Sequence, residues 1–447
     1  MKTNVTANKP VFTHNGAEST NVSPIQKLRR LVMSCMLWED TFYVDGKTVT
    51  EQIKEVCKEL DQLQVLNVAR EVHTKGLLRH VPLWLIVCSF ESKKRLFANK
   101  DLEGVKHYIA DICSRPDQMT ELLSLYWKDG KKPIPSQMKK GLAKAFCKFD
   151  EYSLAKYNRD APIKLRDVLF LCHAKPKNED QRELWKRLVS NTMKTPDTWE
   201  VRLSAREDKK ESFEELLKQG KMGKLAIIRN LRNMYEEGLD KDLVITGLLS
   251  KSRPILPFQF LVAAKHCPRW EDIIDKSMIQ ACEGKQKIKG NTIVLVDVSG
   301  SMNYPISGKS DTSRMDAASG LSILLREVCE KVEFYSFSCQ IIPIPNRQGM
   351  ALRDAIIKSQ PHSSTFLGAA LQYVSNKRNK SIVVDRIVVI TDEQANDVPP
   401  KMNIEKCYVL NVGCYENGIK NNGEWFTING FSQNSIDYIS EIESEDN

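Results

Sequence analysis

Asp297-Val298-Ser299-Gly300-Ser301-Met302 offers a carboxylate and two hydroxyls at alternate positions. Ahead of it runs Asn291 to Val296, apolar and β-branched, which reads as a buried strand of a parallel sheet. A second such run, Ile387 to Thr391, ends at Asp392, and Thr365 stands between them in the loop Pro361 to Thr365, just before a helical pattern. In open α/β sheets the ligand crevice lies beyond the carboxyl ends of the strands. Asp297, Ser299, Ser301, Thr365 and Asp392 would therefore present hard oxygen donors together. Such donors suit a divalent cation, Mg²⁺ or Mn²⁺ with Ca²⁺ as a further candidate, rather than Zn²⁺ or copper. Taken singly, Asp297 could be a helix cap and the serines turn residues. The recurrence of all five types in these positions is what argues for a site.

A different chemistry lies earlier in the chain. From Met138 to Asp150, the residues Met138, Leu142, Ala145, Phe146 and Phe149 recur at helical spacing and should face a core. Lys140, Lys144 and Lys148 recur on the opposite side, with Lys139 close by. Like charges stacked on one helix face repel by a few tenths of a kcal/mol per pair. A phosphate track explains a stripe that accepts that cost; plain solvation of a surface helix is the alternative. Lys156 and Arg159 follow in a loop, then a helical pattern over 163–176 with His173 in its last turn before Pro176. A histidine at a helix end is often only a charge partner, but among these cations it could stack on a base.

The elements that must position these groups are of two kinds. Residues 1–20 are polar and read as a flexible arm. Residues 21–288 read as helical almost throughout, punctuated by Gly, Pro and Asp. Helices are expected at Val105 to Cys113, stopping near Pro116, at Phe213 to Lys218, stopping at Gly220, and at Leu225 to Met234, stopping at Gly238. Helix pairs of this length are the unit of HEAT-like repeats, with a compact irregular bundle as the other option. Residues 289–447 read as a Rossmann-like α/β domain.

At 447 residues, 41% hydrophobic and 28% charged, the chain has the composition of an ordinary globular protein with two or three domains. Its longest apolar run, Val81 to Cys88, is far short of the about 20 residues of a membrane span. Twelve cysteines with no Cys-x-x-Cys pair, several in apolar patterns, read as reduced core residues. With no secretory pattern at the start, a cytoplasmic, monomeric protein without a membrane partner is expected. Residues 291–447 carry 14 Lys+Arg against 19 Asp+Glu, and residues 1–290 carry 52 against 38. The positive charge thus belongs to the helical part, which points to a polyanion partner, nucleic acid before membrane.

The five-residue acid and hydroxyl set resembles the metal-ion-dependent adhesion site of von Willebrand factor A domains. Several helical stretches resemble the TROVE domain of the Ro ribonucleoprotein family: Leu122 to Gly130, Lys139 to Leu142, Lys164 to Leu169, Thr198 to Val201 and Ile255 to Phe258. The resemblance implies a ring of HEAT-like helices beside a von Willebrand A domain. It implies small structured Y-like RNA on a basic outer surface and single-stranded 3′ ends of misfolded RNA in a central hole. By it, Lys156, Arg159 and His173 align with RNA-contacting positions. Bacterial relatives act beside an exoribonuclease, so a protein partner could meet the metal. Ser363 and Ser364 stand where relatives often carry glycines.

Three readings follow. The first is an RNA-binding scaffold without catalysis, with Lys139, Lys140, Lys144, Lys156, Arg159 and His173 on the RNA. The second is a metal-dependent nuclease on Asp297 and Asp392, with Glu393 as the one extra acid. The third is a metal-dependent protein-binding module without RNA.

Overall fold

The computed structural model describes residues 11–12, 18–19, 23–33, 46–75, 78–95, 104–205, 208–250, 255, 257–283, 287–306, 310–378, 383–404, 406–413, 415, 425–430, 435–436, 439 and 443. Most of the expected arm, residues 1–20, lies outside them; the strands β1 (Val11–Phe12) and β2 (Glu18–Ser19) pair antiparallel. Helices then follow one another to Cys282, and the chain turns to sheet at Ile288. Packing divides the chain elsewhere, into one unit of residues 50–212 and another of residues 1–49 with 213–447.

In the first unit, the apolar run Val81 to Cys88 forms the helix His80–Ser89, buried on every side, so its uniform hydrophobicity serves a core. Helix Val105–Ile112 stops where expected, and the next begins with Pro116 at its first turn, where a missing N–H costs nothing. Helix Ser136–Phe146 buries Met138, Leu142, Ala145 and Phe146 as the spacing requires. It packs directly on Val105–Ile112 at Gly141, where a Cβ would stand 2.7 Å from Ile109 Cβ. Only a glycine lets the two backbones approach this closely.

In the second unit, six strands form one sheet: β3 (Ile288–Asp297), β4 (Cys329–Phe337), β5 (Ile341–Ile344), β6 (Arg386–Thr391), β7 (Lys406–Asn411) and β8 (Trp425–Asn429). Their order is β5-β4-β3-β6-β7-β8, all parallel except β5. β6 is buried along its whole length, because helices cover both faces. Helix Leu367–Arg378 packs Leu367, Leu371 and Val374 on one face with Leu295, Val389 and Val409. Helix Arg314–Val328 lies against β3, β4 and β6. It is in turn covered by Pro257–His266 and Gly349–Ile357, which is why the helices after residue 212 pack with the sheet. Lys265 Nζ reaches Asp316 Oδ2 at 2.6 Å, and the N–H of Met350 donates to Asp275 Oδ1 at 2.9 Å.

The described cysteines are free thiols, most of them buried, as the sequence suggests. Burial pushes the Cys113 thiol up to about 12, which makes it inert. Among the described residues no helix is long and apolar enough to cross a membrane.

Helix Pro24–Met33 joins the second unit through an ion pair: Arg30 Nη1 donates to Glu393 Oε1 at 2.7 Å, with both side chains almost fully buried. Glu393 holds a left-handed backbone, φ 62°. Removing one partner of a buried pair strands the other charge. Arg30→Ala should therefore lower stability by about 3–5 kcal/mol. Urea unfolding should show this as an earlier midpoint, and the double variant Arg30→Met/Glu393→Gln should recover a large part of the loss.

Candidate functional site

The sheet order places β3 and β6 side by side, although β4 and β5 intervene in sequence. Connections leave β3 in one direction and return to β6 in the other, so the crevice between their carboxyl ends is a topological switch point. Asp297 is the last residue of β3, and Asp392 directly follows β6. Parallel register, Val296 beside Ile390, sets Asp297 level with Thr391, with Asp392 one residue further along the neighbouring strand end.

All five expected donors are buried: Asp297, Ser299, Ser301, Thr365 and Asp392 are each 5% exposed or less. Asp297 Oδ1 accepts from the Ser299 N–H at 2.8 Å, and its Oδ2 accepts from the Thr391 hydroxyl at 2.6 Å. The Ser299 and Ser301 hydroxyls lie 3.3 Å apart. The Thr365 loop lies against this turn: the Gly300 N–H donates to the Ser363 carbonyl at 2.9 Å. Ser363 and Ser364 are tied down by Ser338. Its hydroxyl donates to the Ser364 carbonyl at 2.8 Å and accepts from the Ser363 N–H at 3.0 Å. The Thr365 N–H is held by Asn396 Oδ1 at 2.7 Å.

Electrostatics at this point are strained. Burial, and then the neighbouring charge of Asp392, push the Asp297 carboxyl up to about 7. Burial also raises Asp392, against the pull of Arg314. Arg314, itself 1% exposed, donates to the Ser301 carbonyl at 3.0 Å and to the Tyr415 hydroxyl. It approaches Asp392 Oδ2 only at 3.5 Å, and the Gln394 N–H reaches Oδ1 at 3.4 Å. These two contacts are long for hydrogen bonds, and a hydrogen bond from the Ser301 side chain also steadies the Asp392 carboxylate. Two carboxylates and three hydroxyls fit a hard divalent ion. Among the described residues, no group of three or more His, Cys, Asp or Glu side chains comes together as a metal cluster.

Glu393, the extra acid of the motif, is engaged by Arg30. Sequence reasoning missed three groups that shape the site: Thr391, Arg314 and Arg30. Thr391 stands next to Asp392, and its hydroxyl could have been suspected; the two arginines are distant in sequence and carried no signal.

The second candidate site lies in the unit of residues 50–212. Lys139, Lys140, Lys144 and His173 line one cavity of about 520 Å³. His173 is not in the last turn of its helix, Leu165–Cys172, but caps it with a left-handed backbone, φ 53°. Lys148 departs from the expected stripe, because its ammonium folds inward onto the Ala110 carbonyl. Lys156 and Arg159 are outside this cavity. Lys156 lies in the last turn of the helix Glu151–Tyr157, its ammonium 6.0 Å from the centre of the Tyr152 ring, and Arg159 is exposed just beyond. Two lining residues, Lys106 and His107, were not expected. They belong to a different helix, and only the close packing at Gly141 brings them in.

Comparisons with known proteins agree with this architecture. The family described as the TROVE domain matches residues 185–287, and the one described as the Ro60 vWA domain matches residues 291–406. No curated protein matches the chain. Among solved structures, the Ro (RSR) protein of Deinococcus radiodurans is similar in fold, with a TM-score of 0.61 and 17% identity over 95% of this chain and 100% of that one. A TROVE match running directly into a Ro60-type A domain, on a helical region followed by a six-stranded sheet, is the Ro arrangement, and the chain belongs to the Ro family.

Proposed function

We propose that this chain is the RNA-binding scaffold of a Ro-type ribonucleoprotein, acting in RNA quality control or maturation without catalysis of its own. The observation that carries the reading is the meeting of Lys139, Lys140, Lys144 and His173 around one cavity. Cations on neighbouring helices can follow a phosphate backbone, and an imidazole at the rim can stack on a base. Lys156 and Arg159 would extend the contact surface. Small structured RNA and single-stranded 3′ ends are the RNA classes this reading assigns.

The A domain would hold Mg²⁺ or Mn²⁺, with Ca²⁺ as the third choice, on Asp297, Ser299, Ser301, Thr365 and Asp392. A bound ion supplies an open coordination position for a carboxylate of a protein partner, an exoribonuclease among the candidates. The nuclease reading is weaker, because Glu393 is committed to Arg30 and the remaining donors are mostly hydroxyls. Nucleases more often cluster several acids around two metals.

Two outcomes are expected. Lys140→Gln combined with Lys144→Gln should weaken binding of single-stranded RNA and flatten the plot of log affinity against log salt by about 1.4, near 0.7 per lost phosphate contact. A gel-shift salt series with unchanged affinity and slope would count against the scaffold. For the metal, the sign follows from Asp297. Its folded pKa is raised to about 7, so the metal-free folded state holds a proton that the unfolded chain releases above the ordinary Asp range. Metal-free stability contributed by this group is therefore lost as pH rises toward 7, and the metal must displace the same proton. The rise in melting temperature caused by Mn²⁺ should grow between about pH 5.5 and about pH 7.5. It should vanish in Asp392→Ala.

A further inference from the structure

The cavity beside helix Ser136–Phe146 has a composition that a passing strand of RNA does not require. Its lining includes four ammonium groups, Lys106, Lys139, Lys140 and Lys144, and two imidazoles, His107 and His173, with no carboxylate. Among the described residues, Lys106, Lys139 and Lys140 have no salt-bridge partner. Lys144 points at a neutral one: its Nζ lies 2.8 Å from His107 Nδ1. An ammonium can only donate, so Nδ1 accepts and the ring proton sits on Nε2. His107 therefore orients Lys144 while keeping a donor of its own. The cations are also held in place. Gly141 locks helix Ser136–Phe146 onto Val105–Ile112, so the Lys106–His107 pair cannot drift from Lys140 and Lys144.

Resting on the RNA reading above, we infer that this cavity is a seat for a phosphate monoester, the phosphorylated end of a single-stranded RNA, and that Lys106 and His107 belong to it. An internal phosphodiester carries one negative charge on two free oxygens. A terminal monoester carries about −1.5 to −2 and three acceptor oxygens. Four ammonium groups around one cavity match the second and exceed the first. At about 520 Å³ the cavity also has room for the adjoining nucleotide, within the usual range of ligand pockets. Charge-assisted hydrogen bonds to such a group are among the stronger ones in proteins.

The test uses the full chain and one unstructured RNA of about ten nucleotides, prepared with a 5′-monophosphate, with a 3′-monophosphate, or with hydroxyls at both ends. Fluorescence anisotropy should show one phosphorylated form binding about tenfold more tightly than the hydroxyl-ended RNA. Lys106→Gln/His107→Gln should remove that advantage, lowering affinity for the phosphorylated RNA by a larger factor than affinity for hydroxyl-ended RNA. Lys106→Gln alone, at an exposed position, should give part of the same loss and serves if the double variant does not fold. Adenosine monophosphate alone, bound as tightly as the phosphorylated RNA and lost in the same variants, would keep the monoester seat but make a free nucleotide its source. Equal affinity for all three RNAs overturns the seat and leaves the scaffold standing. Failure of all three to bind overturns both.

Discussion

Two carboxylates buried side by side at neighbouring strand ends set the terms for the C-terminal part of the chain. Removing a charge from water costs several kcal/mol unless it is paired or hydrogen-bonded, and here Asp297 and Asp392 also repel each other. The surroundings answer this in layers. Thr391 and the Ser299 N–H hold Asp297. Arg314, fixed between the Ser301 carbonyl and Tyr415, offers a positive charge to Asp392 without closing on it. The result is a negative site that is organised but not fully satisfied, which is the condition a divalent ion would relieve.

The unit of residues 50–212 shows the reverse. There the cations gather around a cavity without carboxylates in its lining, and the cost is mutual repulsion of ammonium groups. Where Lys148 could escape it did, onto the Ala110 carbonyl; that burial lowers its pKa. Lys106, Lys139, Lys140 and Lys144 stayed at the cavity. The two units thus carry opposite electrostatic demands, and each is met most simply by a partner of the opposite sign.

The Arg30–Glu393 pair links these themes to the fold. A residue directly after a proposed metal ligand takes a left-handed backbone and buries its charge on a helix from the start of the chain. That arrangement ties the order of Asp392 to the docking of residues 24–33. It also removes from the site the one acid that would have favoured hydrolytic chemistry. The packing division near residue 212, rather than at the helix-to-sheet change, has a related cause. Helix Arg314–Val328 is buried nearly all round, and Pro257–His266 covers its outer side.

Local pattern was enough for much of this. The β-branched runs before Asp297 and Asp392 read as covered strands, because they are short, rich in Val and Ile, and lack the alternation of a half-exposed strand. Val105–Ile112, Ser136–Phe146 and Lys224–Glu236 follow from 3.6-residue spacing and their Pro or Gly stops. The five oxygen donors were legible because each sits at a strand end or loop of fixed type. What the chain alone left open was everything set by approach across long sequence distance. Arg314 beside Asp392, Arg30 on Glu393, and Lys106 with His107 facing Lys144 depend on which helices pack and how closely. Periodicity names the buried face of a helix, but only the packing partner, here admitted by a glycine at 141, decides which charges meet on the other side.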